Sequence, residues 1–80
     1  MLNYTITAEL ATLSETQTTA KELNLVKWDI MAPKLDLRVW RFTKNGKEPA
    51  RGVTLTREEA ETLAAALQIY LDTTEPEEDE

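Results

Sequence analysis

Between Lys34 and Phe42 the chain sets Lys34, Asp36, Arg38, Trp40 and Phe42 at every second position. In an extended segment these five side chains share one face, because successive residues of a strand point to opposite sides. Arg38 and Trp40 then stand about 6.5–7 Å apart. Cations on such a track neutralise phosphates. Exposed aromatic rings stack on unpaired bases for about 1–3 kcal/mol each. The chemistry available to this row is therefore single-stranded nucleic-acid binding, with Trp40 and Phe42 on bases and Lys34 and Arg38 on phosphates. Asp36 would orient Arg38, accept from a base edge, or form an ordinary surface ion pair. Lys44 and Lys47 flank a turn and extend the basic rim. Lys21, Lys27 and Arg51 add charge, and Trp28 offers a second platform. Against this stands a plainer reading, in which the tryptophans pack a core or an interface and the lysines solvate a sheet face and guard its edge.

The overall charge of −6 first argues against a polyanionic ligand. Its distribution does not. All nine basic residues lie between Lys21 and Arg57, where the only acids are Glu22, Asp29, Asp36 and Glu48, a local net of +5. A local field, rather than total charge, attracts a polyanion. Catalysis finds little support. There is no histidine and no cysteine, so the commonest general base and the commonest metal ligands are missing. Glu58, Glu59 and Glu61 suit a helix start. Gly46 and Gly52 are too few and too separated to cradle a phosphate. No enzyme activity, cofactor or metal site is expected.

The row needs elements to hold it. Leu2, Tyr4, Ile6, Ala8 and Leu10 alternate with polar residues and predict a first strand. Ser14 to Thr19 reads as a loop. Lys21 to Trp28 predicts a second strand, Lys34 to Phe42 a third, and Arg51 to Leu55 a short fourth. Asn45-Gly46 is a hairpin signal, since both residues accept positive φ. Thr56 and Glu59 are spaced as a capping box, opening a helix to about Leu71. Its stripe of Ala60, Leu63, Ala64, Leu67, Tyr70 and Leu71 is expected to cover the sheet through Leu35, Leu37 and Val39. That leaves the Lys34–Phe42 row uncovered. The fold class is α+β: a curved four-stranded antiparallel sheet followed by one C-terminal helix, β-β-β-β-α, in a single domain over residues 1–71. Residues 72–80, nearly all acidic or polar, are expected to be a disordered tail.

An 80-residue chain without disulfides is marginal alone. Ala65, Ala66 and Ile69 form a second apolar patch on the helix, so dimerisation is the expected support. No apolar run reaches the roughly 20 residues of a membrane span. Nor does the N-terminus resemble a signal peptide. The expected location is the cytoplasm or the nucleoid.

Three ordered blocks carry a family resemblance. Lys21-Glu22-Leu23-Asn24-Leu25-Val26-Lys27-Trp28, Pro33-Lys34-Leu35-Asp36-Leu37-Arg38-Val39-Trp40 and Arg51-Gly52-Val53-Thr54-Leu55-Thr56-Arg57-Glu58-Glu59 resemble the YdbC-like bacterial relatives of the eukaryotic transcriptional positive cofactor four. Their pattern reads roughly K-E-L-N-x-V-x-W, P-K-Y-D-I-R-x-W and K-G-I-T-L-[ST]-x-E-E. The resemblance spans Lys21 to about Leu67. It implies a homodimer joined through helices and sheet edges. Such a protein binds single-stranded DNA with little sequence preference along a concave sheet face and acts in transcription, replication or repair. Lys21, Lys34, Arg38 and Trp40 match positions expected to touch the strand, and Trp28 matches a tryptophan of unassigned role. Two departures stand out: Thr18-Thr19-Ala20 replaces a Gly-Trp-Arg-like run, and Leu35 replaces the tyrosine of P-K-Y-D.

A protein-interaction module is the alternative, using the basic face and the acidic tail, which would recruit a protein partner or compete with nucleic acid for the basic face. Nothing in the residues separates DNA from RNA.

Overall fold

The computed structural model describes residues 3–76. Leu2 of the first predicted strand and Glu77 to Glu80 of the predicted tail lie outside the described residues. The order is β1 (Tyr4–Glu15), β2 (Thr19–Trp28), β3 (Lys34–Thr43), β4 (Gly46–Leu55) and α1 (Arg57–Thr73). The four strands form one antiparallel sheet in chain order, so the α+β architecture is as expected.

Two strands run longer than alternation predicts. β1 reaches Glu15 through three register shifts, at Ile6/Ala8, Glu9/Ala11 and Thr12/Ser14. Each shift resets which side the next residue faces, so strict period two fails although pairing continues. β4 begins at Gly46, and its Glu48-Pro49 pair hides it from a propensity reading. As an edge strand it tolerates the missing proline N–H. The hairpin also differs in detail. Lys44 and Asn45 form the turn, and positive φ falls on Gly46, at 107°, while Asn45 keeps an ordinary value. The Asn45 amide is held by Thr43 Oγ1 at 3.2 Å. In the β2–β3 connection Asp29 takes a φ of 54°, which short polar side chains tolerate.

The larger correction concerns which face is the core. One face carries the leucine rows, Leu25–Leu35–Leu55 and Leu23–Leu37–Val53. The other carries Asn24–Asp36–Thr54, Glu22–Arg38–Gly52 and Ala20–Trp40–Pro49. It is the second, polar and aromatic face that is sealed: Trp40, Asp36 and Val26 are 0 % exposed, with Asn24 and Ala20 nearly so. The leucine face is only half-buried, and Val53 is exposed.

Coiling of the sheet accounts for this. Arg38 pairs in register with Glu22, so a flat sheet would hold it about 20 Å from Trp28, six residues further along β2. Its guanidinium instead lies 4.8 Å from the Trp28 ring. Tyr4, on the first edge strand, donates from Oη to the Lys47 carbonyl of the last at 2.9 Å. The bulges of β1 supply the added twist that brings these corners together. The polar row is therefore the concave lining of an open sheet whose edges meet through the Tyr4 side chain.

The helix does not cover the sheet as expected. Its capping box forms, with Glu59 N donating to Thr56 Oγ1 at 3.1 Å and Thr56 N to Glu59 Oε1 at 2.8 Å. Among the described residues no helical residue is buried, however, and the helix meets the sheet chiefly at β4. Leu67, Ile69, Tyr70 and Leu71 are all exposed. The helix also takes in Asp72 and Thr73, which the sequence assigns to the tail.

Candidate nucleic-acid interface

Three aromatic rings and two cations fill the concave side. Tyr4 sits 5.6 Å from Trp28 and 5.4 Å from Trp40, tilted against both. Arg38 covers Trp28, and the Lys47 ammonium lies 5.3 Å from the Trp40 ring centre. Both cations are already engaged. Arg38 donates from Nε and Nη2 to the Asp36 carboxylate at 2.9–3.2 Å and from Nη1 to the Ala50 carbonyl at 2.9 Å. Lys47 donates to Glu22 Oε1 at 2.7 Å, and Asn24 Nδ2 donates to the same oxygen at 2.9 Å. Burial pushes the Glu22 carboxyl up, but the hydrogen bonds from Lys47 and Asn24, with the lysine's charge, outweigh it and hold the group below its usual range. The Trp28 and Trp40 indole N–H groups are buried without a hydrogen-bond partner among the described residues.

This overturns part of the expected site. Trp40 presents no face to a base, because Tyr4 and Lys47 cover it. Arg38 and Lys47 serve internal carboxylates before any phosphate. Lys34, predicted on the same row, lines with Leu25, Leu35, Leu55 and Ala60 the cleft where the helix meets the leucine face. Lys27 is half-buried and donates to the Asp29 carbonyl at 3.0 Å.

A different group of predicted residues does come together. Lys21 on β2 is the register partner of Val39 on β3. On β4 the pairing skips from Gly52 to Pro49, leaving Ala50 and Arg51 opposite Val39 in a bulge. Arg41 follows Val39 on the same face of β3, and Lys44 lies in the turn beyond. Lys21, Arg41, Lys44 and Arg51 are all exposed; the partly exposed Phe42 lies at the same hairpin end but on the face of β3 that carries Trp40. Arg41 falls outside the basic and aromatic row of the sequence because it lies on the opposite parity from Trp40. The signal was present, for it shares parity with Val39, the partner of Lys21. The acids nearest in sequence, Glu22 and Asp36, are spent inside; among the described residues Glu48, opposite Arg41, and Glu15, beside the partner of Lys21, are the acids near the cluster in register.

Between the β4 bulge and β2 lies an open, mostly apolar hollow of about 300 Å³, lined by Trp28, Arg38, Pro49, Ala50 and Thr54. Gly52 permits the close packing behind it: a Cβ there would fall 2.6 Å from both the Arg38 Cβ and the Leu37 carbonyl oxygen. Among the described residues no group of three or more acidic, histidine or cysteine side chains is placed to hold a metal. No helix of the described residues is long and apolar enough to cross a membrane. Neither the protein-family models nor the curated proteins compared with this chain yield a match.

Proposed function

We propose that the protein binds single-stranded DNA, its phosphates held by the exposed cluster of Lys21, Arg41, Lys44 and Arg51 and a base stacked on Phe42. The observation that carries the reading is the sorting of charge. Glu22 and Asp36 neutralise Lys47 and Arg38 on the concave side, which leaves Lys21, Arg41, Lys44 and Arg51 exposed with few acids among them. The resemblance to the cofactor-four relatives supports the same reading and adds a cytoplasmic or nucleoid setting in transcription, replication or repair.

The active species in this proposal is a homodimer. The leucine face and the apolar side of α1 are both left open, although a helix in a protein draws most of its stability from packing such a face. A second copy laid over the Leu25–Leu35–Leu55 end covers both. The basic cluster stays free, since it lies at the hairpin end of the sheet.

Anisotropy titration of labelled oligo-dT and a matched duplex, at several salt concentrations, tests the proposal. The single strand should bind more tightly, with log affinity falling at about −0.7 per phosphate contact, so a slope near −3 for four cations. Lys21→Glu with Arg41→Glu should remove most of the binding while leaving the thermal midpoint nearly unchanged. Absence of binding even at low salt would refute it and leave the basic cluster to a protein partner.

A further inference from the structure

The hollow at the β4 bulge has walls and donors suited to one kind of ligand. Its lining is largely apolar, with the Trp28 ring, Pro49 and Ala50 around a space that admits a flat ring. Its polar groups are chiefly donors. A guanidinium carries five N–H groups. Three of those on Arg38 are used by Asp36 and Ala50, leaving two uncommitted on a side chain that is 14 % exposed. Thr54, also in the lining, is exposed and its hydroxyl makes no hydrogen bond among the described residues. Asp36 fixes the plane of the guanidinium, so these donors are oriented before a ligand arrives. The bulge places exposed Arg51 next to Ala50 in the lining, which sets a phosphate-binding cation beside the hollow.

We infer that this hollow seats one base of the bound strand, and that it favours bases with a carbonyl-bearing edge, thymine, uracil or guanine, over adenine. The inference rests on the single-strand reading above. Carbonyl oxygens accept from the uncommitted Arg38 N–H groups and from Thr54. Adenine offers ring nitrogens as acceptors but sets its N6 amino donor against one of the Arg38 N–H groups, so it satisfies fewer of these donors than a base with a carbonyl edge. A paired base in a duplex is held in its stack and cannot enter.

The test compares oligo-dT, oligo-dA and an oligomer of the thymine isostere 2,4-difluorotoluene, which keeps the shape and loses the carbonyl acceptors. Each is titrated against wild type, Ala50→Phe, which fills the hollow, and Thr54→Val, which removes the hydroxyl at nearly constant volume. Wild type should prefer oligo-dT over both other strands by about tenfold, the lower range of one bidentate base contact. Ala50→Phe should erase that preference and Thr54→Val should reduce it, with salt slopes unchanged because phosphate contacts remain. Equal affinity for oligo-dT and the isostere in wild type overturns the base seat but leaves single-strand binding in place. So does a preference that survives in Ala50→Phe and Thr54→Val alike. If no oligonucleotide binds, both readings fall together. Because Thr54 is exposed, its variant should keep the wild-type circular dichroism spectrum and melting point even if Ala50→Phe does not.

Discussion

Replacing Arg38 by alanine strips Asp36 of every hydrogen bond it receives from the guanidinium while leaving the carboxylate 0 % exposed. Removing one partner of a buried ion pair costs about 3–5 kcal/mol, because the other charge stays behind without compensation. The Ala50 carbonyl loses its Nη1 donor and the Trp28 ring loses its cation, which adds about 0.5–2 kcal/mol. Screening by solvent offers little relief, since the Arg38 side chain is only 14 % exposed. A domain of this size holds a total stability of about 4–12 kcal/mol. Arg38→Ala should therefore lower the melting point by roughly 15–55 °C, at about 4–8 °C per kcal/mol, or leave the chain unfolded. Removing both charges, with Asp36→Leu and Arg38→Met, should recover most of the loss, because a buried pair and a packed apolar pair of similar volume differ little. Urea denaturation of wild type, both singles and the double mutant closes the cycle. A loss below about 1 kcal/mol in Arg38→Ala would refute the reasoning and return Arg38 to the surface role expected from the sequence.

Three further outcomes follow from the same structure. Gly52→Ala should destabilise by about 1–3 kcal/mol in urea melts, since its Cβ would meet both the Arg38 Cβ and the Leu37 carbonyl at 2.6 Å. Glu22 titrates below its usual range, so its pairing contributes fully above the ordinary carboxylate pKa and is lost as pH falls through the lowered folded value. The melting-point gap between wild type and Glu22→Gln should accordingly be widest near neutrality and shrink below about pH 4. The proposed dimer predicts a sedimenting mass near twice 9.1 kDa and a melting point that rises with protein concentration. Leu67→Glu on the exposed helix face should shift the protein to monomer and remove that concentration dependence.

The elements themselves were largely legible from local pattern. Alternation marks β2 and β3 to within two residues, because both are paired on two sides and carry no bulge toward each other. Thr56 and Glu59 announce the helix start, because a capping box acts within four residues and needs nothing distant. The alternation on β3 also sorted its side chains correctly into two sets. What it could not state is which set faces inward. Hydrophobicity pointed to Leu35, Leu37 and Val39, yet the sealed face holds Asp36, Arg38 and Trp40. That choice depends on contacts between residues far apart in the chain: Tyr4 with Lys47, Trp28 with Arg38, Glu22 with Lys47. They exist only once the bulges of β1 coil the sheet. Coiling hides a polar row whose charges cancel in pairs, and it leaves at the surface those cations that have no internal acid to meet. The chain thus carries its basic middle in its sequence, but only tertiary structure decides which of those charges remain for a ligand.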